Sequence, residues 1–181
     1  MTPSDYIRRG WAVVPIPPEE KGPKLQEWQK RLFTAADFAS DNNVGIKLGR
    51  VSGSLVDIDL DCLDALALAD IYLPPSSAIF DRASKPRSHR PYIAPDAAFP
   101  KFADPISGDM LLELRADGDT GGVHQTLFPP SIADNEKREW HSDTIAPVSI
   151  DARVLMDRRI LPRPRTRKGS AGELPAHRRP S

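Results

Sequence analysis

The chain has 181 residues, of which 39% are hydrophobic and 28% charged, and its formal net charge is zero. This balance is typical of a globular protein and excludes a disordered or fibrous chain. No apolar run approaches the roughly 18 residues of a transmembrane helix, and the first residues lack a signal peptide's apolar stretch, so we expect a cytoplasmic protein that does not bind a membrane. The single cysteine, Cys62, excludes an internal disulfide and a Cys-x-x-Cys zinc pair, and we interpret it as a small apolar residue.

The zero net charge conceals two oppositely charged regions. Residues 151–181 hold nine basic and three acidic side chains, a net charge of +6, which leaves −6 on residues 1–150. Four prolines follow Leu161 and no apolar period is present there. We therefore predict a folded catalytic domain over 1–150 and a disordered, basic Pro/Arg-rich tail over 151–181. The tail is either an arm that attracts nucleic acid or a solvated terminus.

The order of apolar and polar segments predicts alternating helices and strands. In chain order we predict a helix over 3–9, a strand over 11–15, a loop over 17–28, a helix over 35–40, strands over 43–48 and 54–60, a helix over 63–70, and strands over 78–80, 89–94, 110–115 and 124–128. Thr2 or Ser4 is the expected cap of the first helix, and Thr34 that of the second. Mixed elements with short connections indicate an α/β or α+β domain.

The segment Val-Asp-Ile-Asp-Leu at 56–60 carries the strongest chemical signal. Because side chains alternate across a strand, Asp57 and Asp59 share one face and the three apolar residues the other. Two carboxylates on one face can share two cations about 3.5–4 Å apart, which suits phosphoryl transfer with Mg²⁺ or Mn²⁺. The alternative is a solvent-facing acidic strand edge. Asp61 continues the alternation but is predicted to cap the helix that follows.

The segment 80–89 concentrates basic and hydroxyl side chains. It contains Arg82, Ser84, Lys85, Arg87, Ser88 and His89. Arginine offers a planar fork to phosphate oxygens and lysine a point charge, so this group can hold the triphosphate of a nucleotide. The alternative is a solvated basic loop. An enzyme that binds metal and triphosphate together needs both an acidic and a basic cluster, which favours the nucleotide site.

Glu113 lies within the apolar strand pattern over 110–115. A buried carboxylate without a partner costs free energy, so either a metal ion or Arg115, which lies two residues later on the same face, is expected to pair with it. His124 follows a glycine-rich turn and is expected to be a structural histidine.

In this order, the features resemble the N-terminal domain of bifunctional DNA primase/polymerases, within the archaeo-eukaryotic primase superfamily. The segments that carry the resemblance are residues 10–15, Lys21-Gly-Pro23 with Trp28, Asn43-Val-Gly45 with Gly49, Ser52-Gly53, Asp57-Ile-Asp59, Ser84 to His89, Glu113, and Gln125 to Ser131. The resemblance covers about residues 5–140. The ordered combination is specific, whereas each segment alone is weak.

The resemblance implies a primase–polymerase catalytic core of class α+β, with a mixed sheet like that of an RNA-recognition motif and a small N-terminal α/β module. The implied metal ligands, for two Mg²⁺ or Mn²⁺ ions, are Asp57, Asp59 and Glu113, and these are catalytic together with His89. The implied nucleotide-binding residues are Arg82, Ser84, Lys85, Ser88 and His89. One departure is Arg90-Pro91 directly after His89. Since proline cannot donate to a sheet ladder, its strand is predicted to lie at an edge or to start late.

The function implied is a metal-dependent nucleotidyltransferase that adds (d)NTPs on a DNA template during DNA replication of a bacterium, phage or mobile element. Template DNA and nucleotides are the expected partners. A separate replicative helicase is a candidate partner, because many relatives continue into a helicase domain. The alternatives are an inactive primase-like module that binds single-stranded DNA or a nucleotide and, third, a nuclease, which the lack of an obvious lysine beside the acidic pair disfavours.

Overall fold

The computed structural model describes residues 1–98, 101–104, 106–117 and 123–156. Its helices and strands are α1 (Pro3–Arg8), β1 (Val13–Ile16), β2 (Asn43–Lys47), β3 (Leu55–Leu60), α2 (Leu63–Tyr72), β4 (Phe80–Arg82), β5 (Lys85–Ile93), β6 (Lys101–Ala103), β7 (Met110–Arg115), β8 (Gln125–Phe128), β9 (Ile132–Ala133), β10 (Glu136–Lys137), β11 (Glu139–Trp140) and α3 (Ala152–Met156). Among these residues, no helix is long and apolar enough to cross a membrane. Most of the predicted basic tail, residues 157–181, lies outside the described residues.

Two sheets carry the fold. The larger has six strands in the order β11-β4-β5-β3-β7-β6, the smaller has the order β1-β2-β8, and β9 pairs with β10. Within the part of the chain that the structure describes, the ladders between these strands are antiparallel, whereas the resemblance implied a mixed sheet. Short connections such as the one between β4 and β5 permit only antiparallel pairing. Together with the three helices, these sheets confirm the α+β class.

Strand β3 lies in the middle of the larger sheet, between β5 and β7, and all six of its residues are buried. The predicted alternation sends Val56, Ile58 and Leu60 to one face, where they pack with Ala69 of α2 and Ala152 of α3. Burying a large aliphatic side chain stabilises the fold by about 1.5–3 kcal/mol, so this packing fixes which face of β3 meets the helices. The aspartates of β3 must therefore face the other way.

A cluster of aromatic rings joins the two sheets. Phe80 of β4 packs against Phe128 of β8, with 4.7 Å between ring centroids. Phe128 in turn meets Tyr6 and Trp11 edge-on, each at 5.8 Å, and all four rings are buried. Edge-on and tilted pairs are favoured by the ring quadrupoles in addition to area burial. The cluster holds β8 against the polar face of the larger sheet.

Most predicted elements are present with ends within two residues of the predicted ones, whereas β5 begins at Lys85, four residues before the strand predicted over 89–94. The predicted helix over 35–40 is wrong, because only a short 3-10 turn forms at Ala35–Asp37. Asp37 accepts hydrogen bonds from the amide and hydroxyl of Thr34, so the expected start signal is present. The segment is exposed, however, and buries no apolar stripe that would stabilise a longer helix. For α1, Thr2 is confirmed as the cap.

The predicted cap of α2 is also wrong. Asp61 still belongs to the sheet, because its amide donates to the carbonyl of Leu111 at 2.8 Å. Cys62 takes the cap position instead, and its sulfur accepts a hydrogen bond from the amide of Ala65 at 3.3 Å. Cys62 is therefore more than a small apolar residue. Asp61 is left with its carboxylate on the same face as the predicted metal ligands.

Strand β5 is an interior strand, so the prediction that Pro91 would place it at an edge or make it start late is wrong. Ile93, two residues further along, donates its amide to Val148 and thus away from β3. By alternation, the nitrogen of Pro91 also points away from β3. On that side the ladder with β4 does not extend past Phe80, so Pro91 lies beyond the paired region and no hydrogen bond is lost.

Gly49, in the turn between β2 and β3, has a backbone conformation (φ +84°, ψ −153°) that is essentially restricted to glycine. A Cβ atom there would lie 1.8 Å from Oδ1 of Asp117. We expect Gly49→Ala to lower the free energy of unfolding by about 4 kcal/mol, combining backbone strain and overpacking. Gly53→Ala is the matched control. Its Cβ would meet no atom within 4 Å, so the cost should be about 1–2 kcal/mol. Urea unfolding measures both, and equal midpoints would contradict the expectation.

Candidate active site

Strands β5, β3 and β7 bring the predicted acidic residues and the histidine onto one face of the larger sheet. Asp59 is in register with His89 of β5 on one side and with Glu113 of β7 on the other. Asp57 precedes Asp59 by two residues and is in register with Arg115. Residues in cross-strand register on one face lie about 4.5–5.5 Å apart at their Cβ atoms. The three carboxylates and the histidine therefore meet at one place.

Asp57 forms the floor of this group and is completely buried. Its Oδ2 atom lies 2.9 Å from Nδ1 of His89, and since a carboxylate can only accept, the hydrogen sits on Nδ1. The hydroxyl of Thr126 donates to the same oxygen at 3.0 Å, whereas Oδ1 is buried with no hydrogen-bond partner. Burial acts to raise the pKa of Asp57, but His89, Arg115 and Thr126 outweigh it and hold the pKa below its usual value.

Asp59 lies nearer the surface and is 6% exposed. Its Oδ2 atom is 2.6 Å from a guanidinium nitrogen of Arg115, and its Oδ1 atom is 3.9 Å from Nε2 of His89. Burial raises the pKa of Asp59, and the neighbouring charges of Asp57 and Asp61 raise it further, against the opposing effect of His89 and Arg115. Two carboxylates on one strand thus have pKa values shifted in opposite directions, a pattern typical of acid–base and metal sites.

Glu113 is held by two cations. Its carboxylate lies 3.0 Å from Nζ of Lys101 and 3.1 Å from Nε of Arg115. These contacts outweigh its burial and lower its pKa. The ion pair between Glu113 and Arg115, one of the two partners considered from the sequence, is therefore present. Arg115 joins Glu113 to Asp59 and neutralises part of the acidic group.

Two observations bear on whether these residues fit a pair of divalent cations. Among the described side chains, no group of three or more His, Cys, Asp and Glu is arranged so that it could hold a metal ion. On the other hand, three carboxylates on adjacent strands are the oxygen donors that Mg²⁺ and Mn²⁺ prefer, and Oδ1 of Asp57 has no partner of its own. The donor set fits such ions once Arg115 releases the oxygens of Asp59 and Glu113.

A cleft of ≈490 Å³ opens over this group. Its cationic lining residues are Lys21, Arg82, Lys85, Lys101, Arg115 and Arg138. Its acidic lining residues are Asp59, Asp61 and Glu113. The surplus of positive charge suits a polyanionic ligand, since clefts lined by one sign of charge raise the local concentration of the opposite ion.

The predicted nucleotide-binding residues fall into two groups. Arg82, Lys85 and His89 line the cleft, and Lys85 forms an ion pair with Asp61 at 2.7 Å. His89 also stacks on the ring of Phe80, with 4.5 Å between centroids and 6° between planes. The other two residues, Ser84 and Ser88, do not line it. Ser84 donates to Glu136 at the surface, and Ser88 is fully buried in β5 with its hydroxyl unpaired.

Sequence reasoning missed several residues of the cleft. Thr126 comes from β8 of the smaller sheet, so only the packing of the two sheets places it against Asp57. Arg138 lies in a segment with no motif of its own, and Lys21 belongs to a segment that carries the family resemblance but was assigned no role. Asp61 was assigned to a helix cap although its spacing from Asp59, two residues along one strand, was the signal that places it on the same face.

The sequence matches the family model of the bifunctional DNA primase/polymerase N-terminal domain over residues 3–164, which is most of the chain. The match includes every residue of the cleft, from Lys21 to Arg138. No curated protein matches the chain.

Proposed function

The chain belongs to the bifunctional DNA primase/polymerase N-terminal family, and on that premise we propose that it is a metal-dependent nucleotidyltransferase that adds (d)NTPs to DNA on a template. The observation that carries the proposal is the convergence of Asp57, Asp59, Glu113 and His89 at one cleft rich in cations. Phosphoryl transfer needs both parts, because carboxylates hold the ions and cations hold the phosphates.

Asp57, Asp59 and Glu113 are the proposed ligands of two Mg²⁺ or Mn²⁺ ions. Bound there, such ions supply charge neutralisation at the reacting phosphate and a lowered pKa for the attacking 3′-hydroxyl. Arg115 is the counter-charge of these carboxylates in the ligand-free protein, through Asp59 at 2.6 Å and Glu113 at 3.1 Å. After it leaves those oxygens, its guanidinium remains available for the phosphates of the nucleotide.

His89, Arg82 and Lys85 are the proposed phosphate-binding residues. Because Nδ1 of His89 donates its hydrogen to Asp57, the second ring nitrogen is the one left for the cleft. It donates to a phosphate oxygen in the imidazolium form of the ring, in which both nitrogens carry hydrogen. Stacking on Phe80 fixes the plane of the imidazole, so this nitrogen keeps its direction. Preorganised donors of this kind need no rearrangement as charge moves from the α-phosphate to the leaving pyrophosphate.

Template DNA is the proposed macromolecular partner, bound by basic side chains with an affinity that falls as salt rises. The sequence over 151–181 adds a net charge of +6, although its first residues form α3 of the folded domain. We place the activity in DNA replication in the cytoplasm, with a separate replicative helicase as candidate partner. These assignments rest on the family and the charge distribution.

The test is primer extension on a DNA template with Mg²⁺ or Mn²⁺, comparing the wild type with the double variant Asp57→Ala/Asp59→Ala. We expect incorporation by the wild type, none after chelation of the metal, and none by the double variant. Asp64→Ala, which removes an exposed carboxylate from α2, is the control and should retain activity. Equal incorporation by the wild type and the double variant would refute the assignment, and degradation of labelled DNA without added nucleotides would indicate a nuclease.

One observation favours a second candidate, an inactive module that binds single-stranded DNA or a nucleotide. Lys101 and Arg115 already neutralise Glu113, and an acidic group with its own cations has less need of metal. Tight DNA binding that does not change on chelation, with no incorporation by the wild type, would support this candidate.

A further inference from the structure

Arg138 carries a buried charge without an ion-pair partner. It is only 6% exposed and lines the cleft. One guanidinium nitrogen, Nη1, donates to the carbonyl oxygens of Ala133 and Glu136, each at 2.8 Å. Among the described residues, no carboxylate forms an ion pair with it. Arginine is almost never buried unpaired, because removing the charge from water costs free energy that a counter-ion must offset. Asp134, Glu136 and Glu19 lie near enough to stabilise its charge, but none of them forms an ion pair with it. The place of a directly bound anion beside Arg138 is therefore open to an anionic ligand.

Two further cations lie beside Arg138 and share one carboxylate. Nζ of Lys21 lies 2.5 Å from Oδ2 of Asp134, and a guanidinium nitrogen of Arg82 lies 3.6 Å from the same oxygen. Arg82 is also 3.6 Å from Glu136. Burial, and next the charge of Arg82, lower the pKa of Arg138, against the opposing effect of Asp134, Glu136 and Glu19.

The acidic residues near Arg138 differ in how firmly they are held. Glu136 accepts hydrogen bonds from the amide and hydroxyl of Ser84, and Glu19 accepts one from the amide of Asn135. Asp134, in contrast, is about half exposed, and within the described part of the chain its carboxylate forms ion pairs with the cations Lys21 and Arg82 only. It sits in the left-handed turn between β9 and β10, at φ 56°. Asp134 is therefore the carboxylate that can leave most easily.

We propose that Lys21, Arg82 and Arg138 form a seat for the phosphate chain of a nucleotide, and that the carboxylate of Asp134 occupies this seat until the phosphate chain displaces it. The assignment of the ligand as a nucleotide rests on the proposed function, whereas the anion site itself rests on the contacts above. The carbonyls of Ala133 and Glu136 hold Arg138 in place, so its remaining donors are preorganised.

A phosphate chain binds this seat better than one carboxylate does. It brings several charged oxygens, and arginine pairs with phosphate through short charge-assisted hydrogen bonds. Each additional phosphate can reach another of the three cations. We therefore expect affinity to rise steeply from nucleoside monophosphate to triphosphate, and inorganic triphosphate to bind without a nucleoside.

The test is calorimetric titration of the full chain with inorganic triphosphate, dATP and dAMP in metal-free buffer. Arg138→Gln should weaken triphosphate binding by about tenfold or more, since it removes charge-assisted hydrogen bonds. Asp134→Asn should strengthen it by about two- to fivefold, since it removes the competing charge at an exposed position. Asparagine tolerates the left-handed conformation, so this variant keeps the turn. Affinity for dAMP should change less in both.

Arg90→Gln is the matched control, because Arg90 is also buried, at 4%, but pairs with Asp70 and does not line the cleft. It should leave triphosphate affinity unchanged. If Arg138→Gln does not fold, Arg82→Gln replaces it and must weaken binding while Asp134→Asn strengthens it. Triphosphate affinity that is unchanged in the arginine variant, or that does not increase in Asp134→Asn, would overturn the proposed phosphate seat.

The proposed seat and the proposed enzyme fail separately. If the wild type incorporates nucleotides but its triphosphate affinity is unchanged by substitution of Arg138 and Asp134, the proposed seat is refuted and the proposed enzyme activity is not. A wild type that binds triphosphate through Arg138 but incorporates nothing would support the seat and refute the enzyme.

Discussion

Asp57→Asn is expected to lower the rate of nucleotide incorporation by about three orders of magnitude and to lower the free energy of unfolding by about 1–3 kcal/mol. The loss follows from the charge, because an amide cannot replace a carboxylate as an anionic ligand of a divalent cation. A metal ion contributes several kcal/mol to a phosphoryl-transfer transition state, and about 1.4 kcal/mol corresponds to a factor of ten in rate.

Stability should also fall, because His89, Arg115 and Thr126 favour the charged form of Asp57 and hold its pKa below the usual value. In the variant, the amide oxygen can still accept from His89 and from Thr126. The amide nitrogen, however, takes the place of the fully buried Oδ1 atom, which has no hydrogen-bond partner. A buried donor left unsatisfied costs about 1–3 kcal/mol.

Single-turnover incorporation and thermal unfolding, measured on the same preparations, check both halves of this prediction. Asp81→Asn is the control, because Asp81 also pairs with a histidine, His141, but lies outside the cleft. It should retain the incorporation rate. A wild-type rate for Asp57→Asn would remove Asp57 from the site. A rate that is lost only at temperatures where the variant unfolds would instead indicate that the carboxylate serves the fold.

The sequence was sufficient to predict the acidic face of the larger sheet. The alternation of apolar and acidic residues over 56–60 fixes the two faces of β3, since only one of them can pack on helices. The strand over 110–115 was predicted with its observed ends, and its one carboxylate, Glu113, had to share a face with Arg115. Local periodicity determines such features, and local periodicity is what a sequence displays.

Features that depend on two distant segments could not be predicted in the same way. Pro91 appeared to exclude an interior strand, but the side of the strand to which its nitrogen points depends on the register with β3. Asp61 was predicted to be a helix cap because aspartate favours that position. In the structure it instead continues the sheet, and its carboxylate forms an ion pair with Lys85. Arg138 became notable only through its burial, which no local pattern indicates.

Thr126 is the residue through which the smaller sheet acts on the candidate site. It is 1% exposed, and its hydroxyl donates to Oδ2 of Asp57 at 3.0 Å from β8, across the boundary between the two sheets. With His89 on the same oxygen, it fixes the rotation of the carboxylate. The unpartnered Oδ1 atom is thereby held in one direction. A hydrogen bond to a ligating carboxylate orients it, so if Asp57 is the metal ligand proposed above, Thr126 is its positioning residue.

Thr126→Val is therefore expected to lower incorporation by about ten- to hundredfold and to raise the Mg²⁺ concentration needed for half-maximal rate. Valine keeps the shape of threonine but removes the donor, so Asp57 loses one of the two groups that hold it. Thr126→Ser restores a hydroxyl on a smaller side chain and should recover most of the activity and the wild-type Mg²⁺ requirement. A role in packing alone predicts the reverse order, because valine fills the space better than serine does. Titrating Mg²⁺ against the incorporation rate in the three proteins separates the two explanations, and a valine variant with the wild-type Mg²⁺ requirement would show that the smaller sheet does not position the carboxylate.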